Sequence, residues 1–231
     1  MSDTLQALSR TRRRILLWIK SSGGATTSEI ARELGVTDEG ARQHLVHLEA
    51  RGWVVRHTRR EPHSKSGRPT SVYTITPEGE AFFPKRYDQL AITLIDSVLA
   101  NYGREALRSA LASLADEQVS AWEGRLCDLT LDERIEALRG FYLDDDPFAT
   151  VERQGHAVLV ERNCPFQSVA MQRPDLCSVT VSTLTRLLGV RVERRQTFQS
   201  GDGRCAFHVL ADQPVDAASL PFTFEGEDER H

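Results

Sequence analysis

Two short amphipathic stretches hinged at Gly35 constrain this chain more than any other feature. Thr27-Ser28-Glu29-Ile30-Ala31-Arg32-Glu33-Leu34 turns Ile30, Ala31 and Leu34 to one side at helical spacing. Gly35 supplies a tight turn, and Thr37 can cap a following helix from Asp38 to Arg51. Its inward residues, Ala41, Leu45 and Leu48, recur at i, i+4 and i+7. An earlier stretch, Thr11 to Ser22, sets Ile15, Leu16 and Ile19 on one face and stops at Gly23-Gly24. This is a helix-turn-helix pattern, whose second helix can enter the major groove of DNA. Outward on that helix lie Glu39, Arg42, Gln43, His44 and His47. Arginine pairs with guanine and glutamine with adenine, so Arg42 and Gln43 are the expected base contacts, with His44 beside them.

Beyond that helix the chain reads as a hairpin. Gly52-Trp53-Val54-Val55-Arg56 and Ser71-Val72-Tyr73-Thr74-Ile75 have the pattern of strands. Between them runs a basic loop that ends Ser66-Gly67-Arg68-Pro69. Such a wing would drive Arg68 into the minor groove and set Arg59, Arg60 and Lys65 against phosphates. Charge agrees: residues 1–78 hold 13 Lys and Arg against 8 Asp and Glu, whereas the rest hold 16 against 25. A basic head on an acidic body suits double-stranded DNA as partner. The segment resembles the winged helix-turn-helix heads of bacterial repressors.

Residues 79–145 read as a helical connector. Phe83, Tyr87, Leu90, Leu94 and Val98 form a stripe along one expected helix from Glu78 to about Tyr102. A second helix is expected from Glu105 to about Asp128, and Thr130-Leu131-Asp132-Glu133 is a capping box opening a third. The wide apolar face of the first suggests a homodimer on an inverted-repeat operator. No run of 18 apolar residues occurs, and Met-Ser-Asp-Thr-Leu lacks the apolar core of a signal peptide. A cytoplasmic chain without membrane contact is expected, and there thiols stay reduced.

Three of its four cysteines fall in residues 146–211, a small region of short strands and one helix. Cys164, Cys177 and Cys205 are spaced C-x12-C-x27-C, at a loop, a helix start and a turn exit. Three readings stand open on spacing alone. Structural zinc favours four ligands with a close cysteine pair, which this chain lacks. An iron–sulfur cluster accepts wide spacing. Buried cysteines can also pack as small hydrophobes. Residues 212–231 read as an acidic, mobile tail. No phosphate loop, dinucleotide fingerprint or nucleophile–base pair suggests an enzyme.

Arg162-Asn163-Cys164-Pro165-Phe166, Cys177, Leu187-Leu188-Gly189 and Gly201-Asp202-Gly203-Arg204-Cys205-Ala206-Phe207, taken with the head and connector, resemble the SufR family. These are iron–sulfur-sensing repressors of cluster-assembly operons. The C-terminal region also resembles 4-vinyl reductase-like ligand-binding domains. The SufR resemblance implies a [4Fe–4S] cluster in each subunit on Cys164, Cys177 and Cys205, and repression that depends on it. Some members carry a further cysteine between the second and last of these. This chain has none, which leaves Cys127, His156, His208, Asp202, a small thiol or water for the fourth position. The expected architecture is α+β: a winged helix-turn-helix head (1–78), connector (79–145), cysteine-bearing sensor domain (146–211) and tail (212–231). The alternative is a winged-helix repressor responding to zinc or a small organic effector.

Overall fold

Caps and apolar spacing coincide where the helices of the head form. The computed structural model describes residues 3–59, 70–142, 146–153 and 155–227. In the head, α1 (Asp3–Gln6) and α2 (Arg10–Ser22) precede β1 (Ala25–Thr26), α3 (Thr27–Leu34) and α4 (Asp38–Ala50). Thr26 and Glu29 close a reciprocal capping box on α3, and the Thr37 hydroxyl accepts from the Gly40 amide to start α4. Gly35 sits at φ 71°, left-handed backbone that a β-carbon would strain, so the turn between them can be tight. Strands β2 (Val54–Arg59) and β3 (Thr70–Ile75) complete an antiparallel sheet ordered β1-β3-β2. Ile15, Leu16, Ile19, Ile30, Leu45, Leu48 and Val54 are buried together as the core of this unit.

The second unit runs from Tyr87. After α5 (Pro77–Glu80) come α6 (Tyr87–Trp122) and α7 (Leu131–Tyr142). The expected helix from Glu78 to Tyr102 is divided: Pro84 has no amide to continue a ladder and restricts the residue before it, so α6 begins only at Tyr87. Gly103, at φ 81° and ψ 179°, breaks α6 where the sequence places the boundary between two helices. The capping box at Thr130 and Glu133 forms, with the Thr130 amide 2.8 Å from the Glu133 carboxylate.

Strands β4 (Thr150–Arg153) and β5 (Ala157–Glu161), helices α8 (Gln167–Ala170) and α9 (Cys177–Leu188), then β6 (Val190–Gln196) and β7 (Cys205–Pro214), complete the unit. The sheet is antiparallel, ordered β4-β5-β7-β6. Its inner face packs Leu159, Val192, Phe207 and Val209 against Leu184, Leu187 and Leu188 of α9 and Ile135 and Leu138 of α7. Helices and antiparallel strands are thus segregated, the α+β arrangement.

The tail behaves differently from expectation. Residues to Pro214 belong to β7, and Phe224 is 1% exposed. It packs with Leu107, Leu111, Ala115 and Val179, beneath the guanidinium groups of Arg104 and Arg108, 4.1 and 4.7 Å from its ring. Overall acidity hid two aromatic anchors, Phe222 and Phe224, which bury enough apolar surface to dock the segment.

Candidate functional site

The outward face of α4 carries the expected base contacts. Arg42 and Gln43 are exposed and His44 is half-buried. The Arg42 guanidinium lies 3.4 Å from Glu39, an exposed pair whose release costs little. His47 sits behind them. Desolvation and the charges of Arg12, Arg51 and His44 lower its pKa, so the imidazole is held toward its neutral form. The backbone of Arg59 ends β2. Its side chain lies outside the described residues, as do Arg60, Lys65 and Arg68 and the whole of the expected basic loop ending Ser66-Gly67-Arg68-Pro69.

In the second unit, Cys164, Cys177 and Cys205 line one cavity of about 30 Å³. All four cysteines of the chain are free thiols. Each of the three is held by its own local device. Buried Asp146 accepts from the Arg162 and Asn163 amides and so shapes the loop that leaves β5 toward Cys164. Cys177 opens α9 after a 3-10 turn, Pro174–Leu176. That turn is tied to α6 by the pairs Arg173–Asp96 and Arg104–Asp175. Cys205 opens β7 after a turn in which the Asp202 carboxylate accepts from the Thr197 amide at 2.8 Å.

Polar groups around the thiols point at sulfur. Gln199 Nε2 is 3.2 Å from Cys177 Sγ and also donates to the Ala170 carbonyl. Arg194 Nη1 is 3.7 Å from Cys205 Sγ. The Phe166 and Phe198 amides donate to Cys164 and Cys205 respectively. Burial, with the charge of Glu161, pushes the Cys164 thiol up to about 12. Burial raises Cys205 as well, against the Phe198 amide and Arg194. Burial also opposes the charge on Arg194, yet Glu225, Cys177 and Cys205 keep its pKa above the ordinary range.

Among the described residues, no three or more His, Cys, Asp and Glu side chains are grouped to hold a metal ion.

The other expected candidates lie elsewhere. Cys127 is exposed and donates to the Glu123 carbonyl. His156 and His208 hydrogen-bond each other at 2.6 Å between ring nitrogens. His208 alternates with Cys205 and Phe207 along β7, so the pair occupies the opposite face of the sheet. Sequence reading missed Arg194, Gln199, Asp146 and Glu161. Two of these had a legible signal. Arg194 follows Val190 and Val192, and Glu161 follows Ala157 and Leu159, each at the inward register of its strand.

Residues 8–68 match the model of the MarR family. The matched span includes α3 and α4 of the head, the helix-turn-helix pair, and β2. Among solved structures, NMB1585, a MarR family regulator from Neisseria meningitidis, aligns at 17% identity over 53% of this chain and 82% of that one, with a TM-score of 0.28. No curated protein matches the chain. No described helix is long and apolar enough to cross a membrane.

Proposed function

We propose that this chain represses iron–sulfur-cluster assembly genes as a homodimer, and that its operator affinity depends on a [4Fe–4S] cluster held by Cys164, Cys177 and Cys205. The observation that carries this reading is one cavity lined by three free thiols from three separate segments, in a chain with a MarR-type head. The donor set fits. Thiolates are the usual ligands of such clusters, and hydrogen bonds to sulfur tune them. Amide and guanidinium donors already face these sulfurs.

When bound, a cluster would supply an iron- and oxidant-sensitive cross-link among the three segments. The chain's own residues give that link somewhere to act. Arg173 and Asp175, in the loop before Cys177, grip Asp96 and Arg104 of α6. On α6, Tyr87, Leu90 and Leu94 are exposed at 72%, 57% and 57%, an apolar stripe suited to a second copy of the chain. The polypeptide passes from the head directly into that stripe. A dimer on an inverted repeat must hold its recognition helices about 34 Å apart, one turn of DNA. A cluster that stiffens the α6 bracing would favour that spacing, and its loss would relax it.

The test is anaerobic purification of wild type and Cys164→Ala, with iron and sulfide analysis and a visible spectrum. Operator binding of loaded and apo protein is then compared. Brown wild type, colourless variant and tighter binding by the loaded form are expected. A wild type that takes up no iron and sulfide, or equal affinity of both forms, would overturn the proposal.

A further inference from the structure

We infer that Glu161 is the fourth ligand of the cluster, completing the set formed by Cys164, Cys177 and Cys205. The inference rests on the cluster reading above. It stands on strand register first. Glu161 and Cys205 are direct partners across the antiparallel pair β5–β7, and directly opposed side chains emerge on the same face. Their β-carbons are then about 5 Å apart. Cys205 faces the cavity, so Glu161 faces it too.

Burial is the second observation. Glu161 is 7% exposed and is the one carboxylate among the described residues that line the cavity. It lines that cavity together with Cys164, Cys177 and Cys205.

The remaining candidates are placed badly for this role. Cys127 is exposed and outside the cavity, and His156 and His208 sit on the far face of the sheet. Asp202 is committed to the Thr197 amide and does not line the cavity. A cubane cluster has four irons, and three thiolates serve three of them. Glu161 gives the fourth an oxygen donor, which makes that iron chemically distinct.

The experiment is Mössbauer spectroscopy of full-length protein loaded anaerobically with iron-57 and sulfide, as wild type, Glu161→Gln and Glu161→Cys. Total iron and sulfide, and far-ultraviolet circular dichroism, are measured alongside. Wild type should show one iron subsite with a higher isomer shift than the other three. Glu161→Cys should shift that subsite into line with the rest, and its cluster should resist a chelator longer. Glu161→Gln should lose its fourth iron faster than wild type. Spectra and chelator lifetimes unchanged in both variants would overturn the assignment while leaving the three-cysteine cluster in place. A wild type without iron and sulfide would overturn the cluster reading and this assignment together.

Discussion

Arg194 and Glu225 are joined by two hydrogen bonds, from Nε at 3.0 Å and from Nη2 at 2.7 Å. The same guanidinium turns Nη1 toward Cys205 Sγ. One cation therefore spans the C-terminal segment and the thiol cavity. Its side chain is only 8% exposed, so its charge depends on these partners.

Removing the carboxylate should expose that dependence. Glu225→Ala leaves a buried guanidinium without its anion and should destabilise the second unit by about 3 kcal/mol. Glu225→Gln keeps an acceptor and should lose less. Urea unfolding of apo protein gives the answer as a midpoint shift at unchanged slope. A shift below ~0.5 kcal/mol for the alanine variant would mean that water replaces the carboxylate.

Phe224 anchors the same segment from the other side. Phe224→Ala deletes a fully buried ring and two cation–π contacts, and should cost about 3–5 kcal/mol. Limited proteolysis should then cut between residues 215 and 227, where wild type resists.

Acid should loosen this segment through Glu227. Hydrogen bonds from Arg108, the Phe224 amide and Arg104 lower its pKa from 4.5 to about 2. A depressed carboxylate stabilises the fold above its unfolded pKa, and the contribution disappears as pH falls through the folded value. The window is therefore pH 4.5 down to about 2. Glu227→Gln should flatten the acid dependence of stability across it, as followed by circular dichroism. Carbon-13 NMR of the Glu227 carboxyl should place its midpoint at the low end.

Among the glycines of the head, Gly79 is the most closely approached. A β-carbon there would lie 2.1 Å from the Trp53 carbonyl oxygen, which is backbone and cannot rotate away. Gly79→Ala should cost about 1–3 kcal/mol. The loss should appear in the unfolding of the head and leave the second unit unchanged.

Base readout has its own signature. Arg42→Ala and Gln43→Ala should each lose about 1–3 kcal/mol of operator affinity and relax preference at one base position. Fluorescence anisotropy against systematically substituted operators would show this. A uniform loss over all sequences, with a shallower salt dependence, would instead assign the residue to phosphate.

The head was legible because its signals are local. Thr37, Gly35 and the spacing of Ala41, Leu45 and Leu48 each specify one turn of chain, and together they leave little choice. The strands of the second unit were legible for a similar reason: alternation around Val190 and Val192 assigns each residue to a face. Contacts distant in sequence were not. Glu225 meets Arg194 and Glu227 meets Arg108 across 31 and 119 residues, and no local pattern announces either. Composition also misled. Residues 212–231 look like a solvated acidic run, yet Glu225 and Glu227 meet arginines there and Phe224 is covered. Glu161 carries only a subtle signal, an acid at the inward register of a strand, opposite Cys205.

Gly103 divides α6 with a backbone conformation that only glycine adopts without strain. A continuous helix transmits torsion along its length like a rod. This one interrupts its hydrogen-bond ladder between the stretch bearing Tyr87, Leu90 and Leu94 and the stretch bearing Leu107 and Leu111. The two stretches can therefore set their azimuths separately, as two shafts do across a coupling. Arg104, the residue directly after the joint, reaches Asp175, Glu227 and the Phe224 ring. The angle of the coupling is thus fixed by side chains from both the cysteine loop and the C-terminal segment, and not by the helix itself.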